Sequence, residues 1–171
     1  EWNYLCYQAD FYQSCYNIHP MLEIQIEKEI EKDTQIEVQG CFNSMREDFE
    51  NRGFEVSGGA TTYSIDLLPG YVAINLVKNI DISKEGTAQN FEDFSTKVIS
   101  PIYDLVQVSR DIVNSESSYC GFEYNGYMLL YPKYDIRRIS YDDSRLYRVI
   151  DRKSKAEFKF AVRSCAFAPG I

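Results

Sequence analysis

Catalysis needs a nucleophile, a base or a set of metal ligands, and this chain offers few of them. Its single histidine is His19, beside Pro20. A Ser/His/Asp or Cys/His site would have to use that ring, and no sequence neighbour supplies the group that orients it. No GxSxG, HExxH, P-loop or GxGxxG motif occurs. Gly58-Gly59 reads as a turn between strands and not as a phosphate cradle. Carboxylates are plentiful: Glu23, Glu27, Glu29, Glu31 and Asp33 crowd one segment, and Asp142-Asp143 adjoin. A calcium loop wants Asp or Asn at alternate positions, a Gly and a distal Glu, and Tyr141-Asp142-Asp143-Ser144 lacks that layout. These acids read as a solvated helix face and a turn. A hydrolase built on two carboxylates stays open as an alternative, because such pairs meet in space and not in sequence. No catalytic residue, cofactor or metal site is expected.

Five cysteines are present: Cys6, Cys15, Cys41, Cys120 and Cys165. None are spaced as CxxC, and with one histidine a zinc site has too few ligands. In a reducing compartment all five would be small core residues. In an oxidising one they form two disulfides and leave one thiol over, and this is the reading favoured here. Cys6–Cys15 is the expected local pair and Cys120–Cys165 the expected long-range one. The first pair lies in an aromatic arm, residues 1–20, with Trp2, Tyr4, Tyr7, Phe11, Tyr12 and Tyr16. Such an arm needs a staple to stay ordered. It packs on its own domain or on a partner, and Trp2, Tyr4, Tyr7, Tyr12 and Tyr16 are the candidate partner-binding residues, since tyrosine joins a rigid body to a polar tip.

Charge is divided along the chain. Residues 1–132 carry a net −13 and residues 133–171 a net +5, within 171 residues of net −8 and pI about 4.7. The overall balance speaks against non-specific binding of nucleic acid. The basic segment (Arg137, Arg138, Arg145, Arg148, Arg152, Lys153, Lys155, Lys159 and Arg163) pairs with the acidic body of its own chain, or it meets an anion such as nucleic acid or a lipid headgroup. Arg145 and Arg148 are its candidate contacts. The same split allows a head-to-tail contact between copies.

The elements that would position these residues show in the periodicities. Met21 to about Arg52 reads as helix, with Val38, Cys41, Phe42, Met45 and Phe49 on one face. Its first half is ambiguous, because Leu22, Ile24 and Ile26 alternate. Residues 54–82 read as a meander of about three antiparallel strands, broken at Gly58-Gly59 and Leu68-Pro69-Gly70. Phe91, Phe94, Val98, Ile102, Leu105, Ser109 and Ile112 step as one helical stripe, with Thr87 as cap and a kink near Lys97–Pro101. Ser100-Pro101 alternatively starts a fresh helix. Tyr124 to Tyr134 reads as aromatic strand with a turn at Asn125-Gly126, and 146–150 with 158–162 as a closing hairpin. The expected fold is α+β, with two long amphipathic helices packed on antiparallel sheet in the order α-β-β-β-α-β-β-β. The arm precedes a single domain, residues 21–171.

The phrase Phe160-Ala161-Val162-Arg163-Ser164-Cys165-Ala166 before Pro169-Gly170, with Cys41 in Gly40-Cys41-Phe42-Asn43-Ser44-Met45, resembles uncharacterised membrane-anchored extracytoplasmic proteins of archaea. The resemblance covers residues 21–171. It implies a cell-surface or secreted protein, and it supplies no catalytic residue. The chain begins Glu1-Trp2-Asn3 without Met, which reads as a processed or trimmed form, so a membrane contact would run through an anchor upstream. The function expected is a non-enzymatic extracytoplasmic domain for cell-surface assembly or binding of a protein partner, its own copies included.

Overall fold

The structure, a computed structural model, describes residues 2–168. The chain runs β1 (Tyr4–Tyr7), β2 (Tyr16–Asn17), α1 (Leu22–Asn51), β3 (Glu55–Gly58), β4 (Thr62–Leu68) and β5 (Tyr71–Lys84). It continues with β6 (Thr87–Ile99), α2 (Ile102–Tyr119), α3 (Tyr124–Leu130), β7 (Tyr134–Tyr141), β8 (Ser144–Asp151) and β9 (Glu157–Arg163). The α+β class expected from the sequence holds; the expected order of elements does not.

These elements form two compact units. Residues Glu1–Leu22 and Ser100–Ile171 make one, and Glu23–Ile99 the other. The second is therefore an insertion between β2 and α2 of the first. The arm is part of the first unit: β1 runs parallel to β9, with Tyr4 opposite Ala161 and Tyr7 opposite Arg163. The sheet of that unit is ordered β2-β1-β9-β8-β7, and all its pairings except β1–β9 are antiparallel. α2 lies on it, burying Leu105, Val106, Val108, Ile112 and Val113 against Tyr147, Val149, Phe160 and Val162.

In the inserted unit β5 is the spine. One of its edges pairs with β4 near the start and with β3 near the end, and the other pairs with β6 throughout. Tyr63, Ile65 and Leu67 of β4 and Val72, Leu76 and Ile80 of β5 are buried. The alternation read from the sequence thus gives one apolar face. α1 lies along it through Phe42, whose ring meets that of Phe94 at 5.4 Å, and through Thr34, whose hydroxyl hydrogen-bonds Tyr63 at 2.8 Å. The two lengths match: 30 residues of helix span about 45 Å, and 14 residues of strand about 46 Å.

Three local expectations are corrected. The stripe assigned to a helix from Thr87 belongs to two elements. Phe91, Phe94 and Val98 lie on strand β6, and α2 starts only at Ile102. Glu85 and Gly86 both take positive φ, 51° and 83°, which makes the tight hairpin turn that joins β5 to β6. Pro101 then disfavours helix at Ser100, so the fresh start at Ser100-Pro101 is the one the chain takes, with Ile102 N–H donating to Ser100 Oγ. The second long helix is accordingly shorter than expected, at 18 residues. Finally, Asn125-Gly126 is no turn. It sits inside α3, where the Tyr127 ring meets that of Tyr131, the residue that ends the helix, at a tilt and 4.7 Å, and Glu123 caps the Asn125 N–H at 3.2 Å.

Candidate partner-binding surface

The loop between β1 and β2 turns back on itself, and Cys6–Cys15 closes it. Backbone bonds to the chain's C-terminal segment hold it down. Gln8 N–H donates to Arg163 O, Tyr12 N–H to Ala166 O, and Cys165 N–H to Gln13 O, at 3.0, 2.8 and 2.7 Å. Arg163 is the pillar beneath the loop. Its side chain is 11% exposed and donates to Asp143 Oδ2 at 3.1 Å, and also to the Gln8 carbonyl. Its guanidinium faces the Tyr7 ring at 5.8 Å and the Phe11 ring at 5.2 Å.

On this base stands a row of uncovered rings. Tyr7 is opposite Tyr16 across β1 and β2, and Phe11 neighbours Tyr12. Tyr12 meets Phe167 edge-on at 5.7 Å. Tyr12, Tyr16 and Phe167 are 65%, 70% and 74% exposed. Of the candidates named from sequence, Tyr7, Tyr12 and Tyr16 come together here. Trp2 and Tyr4 are half-buried, and Tyr4 Oη hydrogen-bonds Ser144 Oγ at 2.8 Å. Phe11 and Phe167 belong to the face and were not among those candidates. Phe167 lies two residues after Cys165, and the Cys120–Cys165 bond was the signal that tied this segment to the domain.

Arg145 and Arg148, the other two candidates, are engaged inside the first unit. Arg145 donates to Glu116 Oε2 and to the Cys120 carbonyl at 2.8 Å. Glu116 is fully buried on α2, and its other oxygen accepts from Tyr147 Oη. Burial first, then the Glu116 hydrogen bond and charge, hold the Tyr147 phenol well above its ordinary pKa. The backbone carbonyl of Glu116 accepts from Ser164 Oγ at 2.9 Å, and Ser164 Oγ accepts from Cys15 N–H at 3.1 Å. One polar knot thus touches both disulfide-bonded loops. Arg148 pairs with Glu157, and so does Lys159; Lys159 and then Arg148 hold Glu157 below the usual carboxylate range. Arg152, Lys153 and Lys155 are exposed at the β8–β9 turn.

Asp142 and Asp143 line a depression of ≈ 200 Å³ with Ser140, Arg145 and Phe167. They are the turn residues of the β7–β8 hairpin, with Asp142 at φ 52°, and Asp143 is held by Arg163. Among the described residues no group of three His, Cys, Asp or Glu side chains is arranged to hold a metal ion, and no helix is long and apolar enough to cross a membrane.

Both expected disulfides, Cys6–Cys15 and Cys120–Cys165, are formed, and Cys41 is an exposed free thiol on α1. Two such bonds suggest an oxidising, extracytoplasmic environment. No family model, no curated protein and no solved structure matches the chain.

Proposed function

We propose that this chain is a non-enzymatic module, displayed at the cell surface or secreted, that binds a protein partner through the face of Tyr7, Phe11, Tyr12, Tyr16 and Phe167. The observation that carries this reading is how the face is held. Exposed rings on a free loop would lose conformational entropy on binding. Here that loss is met during folding, by a disulfide, by pairing with β9 and by Arg163 under the rings. Rigid aromatic side chains with a polar tip are what interface hot spots favour. The two disulfides support the extracytoplasmic placement.

The test is sedimentation of the purified chain with the washed envelope fraction of the cells that produce it. Tyr12→Ala with Phe167→Ala is expected to lower retention at least about tenfold, since one hot-spot ring contributes about 2 kcal/mol. Thermal stability should stay close to that of the parent, because both rings are exposed. Equal retention of parent and variant would remove the aromatic face from the account.

A further inference from the structure

The longest open strand edge lies in the inserted unit. β6 pairs with β5 along its length, and no strand lies on its other side among the described residues. An open row of backbone N–H and C=O groups is a template for another strand, and β6 offers it over 13 residues. Proteins blunt such edges by shortening them, by placing Pro in them or by loading them with charged side chains. β6 has no Pro, and its charges, Glu92, Asp93 and Lys97, are of both signs, so in a symmetric contact they can attract. The face it shares with the apolar side of β5 meets α1 at Phe94, whose ring packs on Phe42, and is more exposed to either side of that contact. Phe91 and Val98 are 44% and 50% exposed, although they stand opposite the buried Ile80 and Val72.

We propose that β6 pairs antiparallel with β6 of a second copy of this chain, about a twofold axis at Ser95. Charge sets the register. Asp93 and Lys97 flank Ser95 at two residues on either side and point to the same face of the sheet, opposite Val77 and Ala73 of β5. An axis at Ser95 places Asp93 of each copy against Lys97 of the other, twice by symmetry. On the other face Phe94 comes opposite Thr96 and diagonal to Phe94 and Val98 of the other copy, while Glu92 comes opposite Val98. Moving the axis to Thr96 would set Asp93 against Ile99, and moving it to Phe94 would set Lys97 against Phe91. Both lose the charge match. This contact goes beyond the partner-binding reading and uses none of the residues of the aromatic face.

The test uses the full chain with Cys41→Ser, so that the exposed thiol cannot join copies. Sedimentation equilibrium from micromolar to millimolar concentration is expected to show a dimer. Asp93→Lys alone and Lys97→Asp alone set like charges opposite one another and should each raise the dimer Kd at least about tenfold. The double exchange, Asp93→Lys with Lys97→Asp, should bring it back to within about threefold of the parent, which a misfolded variant would not do. Ser95→Cys should form an intermolecular disulfide on oxidation, because opposed residues of antiparallel strands lie about 4.5–5.5 Å apart. A monomer at every concentration overturns the proposal, as does a dimer indifferent to the single reversals or a double exchange no tighter than either. The variant Tyr12→Ala with Phe167→Ala keeps the dimer Kd of the parent, so failure here and failure at the envelope are told apart.

Discussion

In the unit made by the two ends of the chain, a helix is sunk into a five-stranded sheet, and seven residues of α2 are buried. In the inserted unit α1 is longer, yet Leu22 at its start is its one buried residue, and Leu22 belongs to the other unit. The difference follows from what the helices carry. α2 shows Leu105, Val106, Val108, Ile112 and Val113 to its sheet. α1 interleaves Glu27, Lys28, Glu29, Glu31, Lys32 and Asp33 with its apolar positions, so the stripe Ile30, Thr34, Val38, Phe42 is only half-buried. Both disulfides lie in the first unit, and the exposed thiol lies in the second. Deep burial and covalent closure go together here. The inserted unit has shallow one-sided packing, the condition under which amides open locally at small free-energy cost.

That contrast makes predictions that separate the units. Replacing Cys120 and Cys165 together by Ala removes a cross-link of sequence separation 45, which the loop-entropy relation values at about 4 kcal/mol. Denaturant unfolding should show that loss in the probes of the first unit. Hydrogen exchange of β4 and β5 should stay as in the parent. Equal loss of protection in both units would show that they unfold as one.

The next effect is smaller. Glu116→Gln keeps the shape of the side chain and removes its charge, leaving the Arg145 guanidinium without its counter-ion. The cost should be about 3 kcal/mol, the lower part of the range for a broken buried pair, because the Arg145 side chain keeps 24% of its exposure. A loss under about 0.5 kcal/mol would show that water already serves Arg145.

The smallest effect concerns acid. Asp151 accepts from Ser154 N–H at 2.6 Å, and this bond, foremost among its contacts, lowers its pKa. A carboxylate whose folded pKa is depressed contributes stability above its unfolded value. That contribution fades as pH falls from about 4 through the folded pKa. Asp151→Asn should therefore cost about 1 kcal/mol at neutral pH and close the gap with the parent at low pH. A gap that persists undiminished at low pH would assign the loss to packing and not to charge.

The places where the sequence reading slipped share one cause. Phe91, Phe94 and Val98 continue in phase with Ile102 and Leu105, and a periodicity test has no means of rejecting that continuation. Two local signals argued against it. Glu85-Gly86 suits a turn with positive φ, and Pro101 disfavours helix at the residue before it. In α3 the aromatic run suggested strand, but Tyr127 and Tyr131 lie four apart and meet as helical neighbours. The aromatic candidates were partly legible. Their dense spacing marked the arm, while the sorting of Tyr12 to the surface and of Tyr4 to a half-buried place depended on distant neighbours, Ala166 and Phe167 for Tyr12 and Ala161 and Ser144 for Tyr4.

Glu116 shows where reading along the chain stops. It is the one acid of a polar helix end, Asn114 to Ser118, and nothing near it in the sequence marks it for burial. It is buried because Arg145 and Tyr147, 29 and 31 residues later, are brought against it by strand β8. Helix and strand periods, turn residues and the local cysteine pair act over a few positions, so the helical face of the second half of α1, the alternation of β4 and β5, the closing hairpin and Cys6–Cys15 are written in the sequence. The burial of a charge, the parallel union of β1 with β9 and the gathering of Phe167 with Tyr12 require partners that are distant along the chain, and these come together when the sheet of the first unit forms.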